Sequence, residues 1–224
     1  MHSDQTVTPA IPRWQLVLIL IAFPALYILN SLMPWSIGLF VDGDRYYYPH
    51  FVISTLSLHW LSTALTIYVT RKNGHTLADY GLSVSPRSAV LIVAVLVLLG
   101  LAIIFFRQLV PYAGEAADRE DLIPINLSER LMWLATALSA GFCEELIYRG
   151  FGINVLRWQG LRTWQAVILA TLSFVFIHGI AAVFAFPAYF VVGLGFAALY
   201  LWRNNLLPVM LVHALIDMSA LLAP

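Results

Sequence analysis

Charge is scarce in this chain: Asp, Glu, Lys and Arg make up 11% of it, against about 25% in a soluble domain. Hydrophobic residues make up 61%. A chain of 224 residues cannot enclose that much apolar side chain within a water-facing globule, so its solvent is lipid. The charges that are present cancel, 12 basic against 12 acidic. A chain without net charge has no long-range field for nucleic acid or another polyanion, so no nucleic-acid partner is expected. Cysteine is nearly absent; Cys143 alone excludes an internal disulfide framework and a cysteine-rich zinc site. A cleavable leader is not expected either. The polar residues 1–12 run into a long apolar stretch with no short hydrophobic region and small-residue cleavage site, so the first span reads as an uncleaved anchor. Solenoid repeats and low-complexity tracts are also missing.

What is there is a series of apolar runs. About 20 such residues cross the hydrocarbon core as a helix, and on that measure the chain reads as an all-α polytopic transmembrane bundle of about seven spans. These are placed at residues 14–34, 50–70, 88–107, 130–151, 163–180, 183–202 and 206–222. The link between the fifth and sixth is so short that a tight antiparallel pair or a partly re-entrant element is expected. With the N-terminus cytoplasmic, the inner segments hold Arg13, Arg71, Lys72, Arg87, Arg157, Arg162 and Arg203; the outer ones hold Arg45, Arg107, Arg119 and Arg130. That asymmetry predicts an inside N-terminus and a multi-pass protein of the plasma membrane. The acidic connection 107–130 reads as a solvated link. Gly193 and Ala197, four apart, suit close helix packing.

Against this background the string Cys143-Glu144-Glu145-Leu146-Ile147-Tyr148-Arg149 stands out. A charge at the bilayer centre costs about 2.5–3.5 kcal/mol on insertion scales, so these groups must be paired, hydrated or used. Glu145 and Arg149 are four apart with the acid first, the spacing of a helical ion pair; they read as a structural clamp. Glu144 points about 100° away and has no partner on its own helix, which leaves it poised as a general base or acid. Two later runs carry Phe174 and His178, then His213 and Asp217, each pair four apart. Asp217 is placed to fix the tautomer and ring orientation of His213. His59, with no motif around it, reads as an ordinary helix–helix hydrogen-bonding residue. Cys143 reads as a small buried residue, because neighbouring carboxylates disfavour a thiolate.

Other protease chemistries find no support. There is no His-Glu-x-x-His for a zinc protease, no serine in a Gly-x-Ser-x-Gly setting, and no pair of aspartates within spans.

The three groups resemble the signatures of the CPBP family, the CAAX proteases and bacteriocin-processing enzymes also called Abi. Those signatures are Glu-Glu-x-x-x-Arg, Phe-x-x-x-His and His-x-x-x-Asn/Asp, in that order. Here they stand as Glu144-Glu145 with Arg149, Phe174 with His178, and His213 with Asp217. The resemblance covers residues 128–222 and implies a four-span catalytic core at 128–224, preceded by three generic spans and a loop over 1–127. It implies a glutamic-type intramembrane endopeptidase acting on a membrane-associated protein or peptide. In it Glu144 and His178 activate water and His213 and Asp217 stabilise the oxyanion, with Glu145, Arg149 and Phe174 supporting. Many members carry asparagine where Asp217 stands; an aspartate donates only when protonated. No cofactor is expected, although Glu144, His178 and His213 have the chemistry of a two-histidine, one-carboxylate zinc site. A prenylated substrate, a bacteriocin, a pheromone and a sorting-signal peptide remain open.

Two rivals use the same residues: a non-catalytic immunity or scaffold protein that binds a peptide, and a proton-coupled transporter. Retention of all three signatures argues against the first, and the absence of paired interrupted helices in both halves against the second. The span limits also pose a geometric difficulty. Glu144 falls far from the outer end of the fourth span and His178 far from the inner end of the fifth, which sets them at different depths.

Overall fold

In a hydrocarbon solvent every backbone N–H and C=O must find its partner within the chain, which leaves the helix as the form for these apolar runs. The computed structural model describes residues 11–33, 47–83, 124 and 126–222, and among them there are helices and turns but no strand. The expected third span, 88–107, and nearly all of the 107–130 connection lie outside the described residues.

The first helix, α1, runs Arg13–Ser31 with a π-helical turn over Leu18–Ala22. Pro24 follows that turn. A proline has no N–H to give the carbonyl four residues back; that carbonyl, Leu20 O, is taken by the Ser173 hydroxyl at 2.6 Å. Helix α2 spans Tyr47–Lys72. Helix α3 occupies residues 127–158: α-helical over Leu127–Glu144, π-helical over Glu145–Gly152, α-helical again over Ile153–Trp158. Asn126 caps it by accepting from the Glu129 N–H at 2.9 Å. Helix α4 is Thr163–Phe176, α5 a single turn at Ala181–Phe184, α6 Phe186–Arg203 and α7 Leu206–Met218. Pro187 and Pro208 both sit in first turns, where a missing N–H costs nothing.

Three helices are long and apolar enough to cross a membrane by length and composition: Arg13–Ser31, Pro49–Lys72 and Phe186–Arg203. Thr163–Phe176 and Leu206–Leu221 are apolar but shorter. Large apolar side chains such as Trp14, Ile21, Ile53, Leu61 and Trp202 point outward, as lipid-facing residues do. The described residues are all helix and turn, and their apolar helices are those of an integral membrane protein, with three of the seven expected spans long enough among them.

Both ends of the bundle are tied by polar contacts. At one end Gln159 Nε2 donates to Ile11 O at 2.6 Å and Asn73 Nδ2 to Gln15 Oε1 at 2.8 Å. Tyr200 OH donates to Tyr80 O at 3.0 Å. At the other end the Ile180 N–H donates to Ser31 Oγ at 3.0 Å, Trp133 Nε1 to Asp217 O at 2.8 Å, and Arg130 Nη1 to Leu221 O at 3.3 Å.

The fourth and fifth spans are corrected. The fourth continues to Trp158 instead of stopping at 151, because the π segment accommodates Gly150 and Gly152 and Asn154 Nδ2 covers the Gly150 carbonyl at 2.6 Å. The fifth stops at Phe176, not 180, so His178 lies in a turn beyond its helix. With these limits Glu144 stands 14 residues from the Trp158 end of α3, about 21 Å, and His178 stands 15 from the start of α4 at the same end of the bundle, about 22 Å. The depth difficulty disappears.

Helices α3 and α7 touch backbone to backbone at Gly141. A Cβ there would lie 2.5 Å from Met210 O and 2.9 Å from the Ala214 Cβ, so only glycine permits this spacing. Gly141→Ala is predicted to push the helices apart and destabilise the fold by about 1–3 kcal/mol. The sole thiol, Cys143, is 0% exposed, so its reaction with a thiol dye on heating should report a lowered midpoint.

Candidate active site

Helix α3 delivers the two glutamates to different surroundings, as their 100° separation requires. Glu145 is 0% exposed. Its Oε1 accepts from Arg149 Nη1 at 2.8 Å and from His213 Nδ1 at 2.7 Å. Arg149 is equally sealed; its Nη2 donates to the Gly193 carbonyl on α6 at 3.2 Å. The guanidinium lies over the ring of Phe174, 4.1 Å from its centroid, and 5.2 Å from that of Phe196, a stacking that suits a delocalised cation out of water. The expected clamp is present, and it reaches beyond its own helix to α4, α6 and α7.

Glu144 faces α2. Its Oε1 lies 3.0 Å from His59 Nε2, while its Oε2 is buried without a hydrogen-bond partner and stands 3.7 Å from His213 Nε2. His59 was read from sequence as unremarkable helix packing. It does join two helices, but by holding the one glutamate that the clamp leaves over. Its signal lay in α2 itself: Thr55, His59, Ser62 or Thr63, Thr66 and Thr70 recur at three- and four-residue intervals. Such spacing puts polar groups on one face of an otherwise apolar helix.

Asp217 Oδ2 lies 3.5 Å from His213 Nε2, and the shorter contact to the ring, at Nδ1, comes from Glu145. The reason is geometric: π-helical α3 and α7 meet closely enough for Glu145 to reach across. The imidazole of His213 is held flat against Phe196, centroids 4.8 Å apart, and edge-on to Phe174 at 6.0 Å.

His178 is placed by a turn. Gly179 adopts φ +62° and a Cβ there would collide with Ser31, so the chain folds back sharply after α4. The His178 Nδ1–H donates to Phe174 O at 3.1 Å, which leaves Nε2 as the nitrogen with a lone pair. Its ring stacks on Tyr189 at 3.9 Å, a neighbour that no spacing rule in the sequence marks. Phe174, edge-on to His178 at 5.0 Å and to Tyr148 at 5.8 Å, is the common wall of both histidines and Arg149.

These groups surround a cavity of about 300 Å³. Glu144, His59, His178 and Asp217 line it with Tyr27, Thr55, Trp133, Thr136 and Tyr189. His213 stands behind Glu144 and is not among the lining residues. The two-histidine, one-carboxylate zinc arrangement does not fit the geometry. Among the described residues no three His, Cys, Asp or Glu side chains are disposed to hold a metal ion, and His213 is set back from the cavity that Glu144 and His178 line.

Residues 126–219 match a family described as Rce1-like, type II CAAX prenyl endopeptidase Rce1-like. No curated protein and no solved structure matches the chain. The matched segment contains Glu144, Glu145, Arg149, Phe174, His178, His213 and Asp217; His59 and Tyr27 lie outside it. Over the segment that carries the buried glutamates, the chain is similar to the type II CAAX prenyl endopeptidase Rce1-like family.

Proposed function

We propose that this protein is a glutamic-type intramembrane endopeptidase that hydrolyses a peptide bond in a membrane-associated protein or peptide, with Glu144 as the general base. One observation carries the reading. At the foot of a cavity that His178 and Asp217 also line, a buried carboxylate has one oxygen held by His59 and the other, Oε2, without a hydrogen bond.

The reaction needs a base for water, donors for a developing oxyanion, and an acid for the leaving amine. Glu144 Oε2 takes a proton from water while His178, through its Nε2 lone pair, helps hold that water. The water oxygen adds to the peptide carbonyl, whose π electrons pass to oxygen. Protonated Asp217, on the cavity wall, donates to that oxyanion, and His213, in its doubly protonated form, supports it from behind with Nε2 3.5 Å from Asp217 Oδ2. Protonated Glu144 then returns its proton to the amide nitrogen as the C–N bond breaks. Glu145 and Arg149 position His213 from Nδ1 and do not touch the substrate. His59 is a positioning residue: it fixes which oxygen of Glu144 faces the cavity.

Glu144→Gln keeps size and removes the base, so it is expected to lower turnover by about 10²–10⁴-fold. The check is a comparison of protein termini in membranes from cells carrying wild type or the variant. Termini present only with wild type support proteolysis and name the substrate. Identical termini from a folded variant that keeps any wild-type phenotype would replace this reading with peptide binding alone.

His59→Ala is expected to slow the same cleavage by about 10–100-fold, the scale on which misplacing a reactive group acts. His59→Gln retains an N–H donor and should recover most of that loss. Equal losses in both variants, at unchanged thermal stability, would contradict a positioning role.

A further inference from the structure

The cavity has a direction. Its most buried histidine and carboxylate are His59 and Glu144, 3% and 6% exposed, and its remaining wall comes from one end of the bundle only. Asn30 and Ser31 are in the last turn of α1, Phe51 and Thr55 near the start of α2, and Trp133 near the start of α3. The residues after α4 and the last turn of α7, at Asp217, complete it. No described residue from the opposite half of any helix lines it beyond Glu144, which stands near the midpoint of α3.

The charges have the opposite direction. Arg13, Arg71, Lys72, Arg157, Arg162 and Arg203 all stand at the far end, where Ile11 meets Gln159 and Gln15 meets Asn73. At the cavity end Arg130 is the one lysine or arginine among the described residues outside the buried clamp, and over the whole sequence the connections divide seven against four, with Arg87 added to the first group and Arg45, Arg107 and Arg119 to the second. Lys and Arg concentrate on the cytoplasmic side of membrane helices. The end rich in them is therefore cytoplasmic, and the cavity lies toward the other side.

Building on the endopeptidase reading, we infer that the active-site cavity opens on the non-cytoplasmic side of the membrane and takes as substrate the outward-facing part of an exported, membrane-anchored protein or precursor peptide. The wall adds a preference. It carries the Glu144 carboxylate and, among its described residues, no lysine or arginine, so an uncharged or basic segment near the cut is accepted and an acidic one repelled.

The test uses the full chain in its own membrane and needs no substrate. In a Cys143→Ala background, Thr55→Cys places a thiol on the cavity wall and Arg203→Cys places one at the opposite end. Thr136→Cys is a second wall position should the first variant not accumulate. Intact cells are treated with a membrane-impermeant maleimide, then permeabilised and treated again. The expected result is labelling of Thr55→Cys or Thr136→Cys in intact cells and of Arg203→Cys only after permeabilisation; the reverse pattern overturns the inference. A second arm locates the termini that depend on Glu144. Termini on non-cytoplasmic segments support the substrate class, and termini on cytoplasmic segments overturn it. Absence of any Glu144-dependent termini overturns the endopeptidase reading and the substrate class together, while the labelling pattern still decides the cavity's orientation.

Discussion

A guanidinium and a carboxylate sealed from both water and lipid hold this structure to one arrangement. Removing two charges from water costs several kcal/mol each, and only close geometry with every remaining donor satisfied repays it. Groups from three other helices partner the Arg149–Glu145 pair, and Glu145 Oε2 is left without a hydrogen bond. The Gly193 carbonyl takes the second guanidinium N–H, His213 donates to the carboxylate, and the faces of Phe174 and Phe196 cover the cation. Each of those groups must be within a few tenths of an ångström of its place, so the pair fixes the spacing of α3, α4, α6 and α7 at once. Small residues make the spacing possible: Gly141 against α7, and Gly193 with its Cα 's open side against Thr171 and Phe174.

The consequence for function is a division of labour between neighbours in sequence. Because Glu145 is consumed by the clamp, Glu144 is turned toward α2 and the cavity, where His59 holds one oxygen and leaves the other. The change from α-helix to π-helix falls between the two glutamates. Such wide turns recur at functional sites, and here the widened segment carries Glu145 and Arg149 into the core while the α-helix before it presents Glu144 to the cavity. His213 links the two environments, bonded to Glu145 through one nitrogen and facing Glu144 and Asp217 through the other.

What could be read from sequence was whatever is local. The pairing of Glu145 with Arg149, the divergence of Glu144 and the burial of Cys143 follow from helical spacing and chemistry within seven residues. The assembly of Phe174, His178, His213 and Asp217 around them was legible only through the family signatures, since no single spacing brings separate helices together. Three features escaped because they are set by tertiary contacts. The partner of His213 Nδ1 is Glu145 because α3 and α7 pack closely at Gly141. His178 lies past the end of α4 because Gly179 turns the chain. The fourth helix continues through residues that hydropathy scores as too polar, because Arg149 and Asn154 are satisfied inside the bundle. His59 was missed for a different reason: its partner lies in a segment that carries the signatures, while its own helix carries none.

The most direct test of the account is the thermal midpoint of Glu145→Gln beside that of Glu144→Gln, measured on the full chain by the exposure of Cys143. Neutralising Glu145 strands a buried guanidinium, and the account predicts a loss of about 3–5 kcal/mol. Neutralising Glu144 leaves an amide that still meets His59, and a change within about 1 kcal/mol is expected. A larger loss from Glu144→Gln than from Glu145→Gln would contradict the assignment of clamp and base.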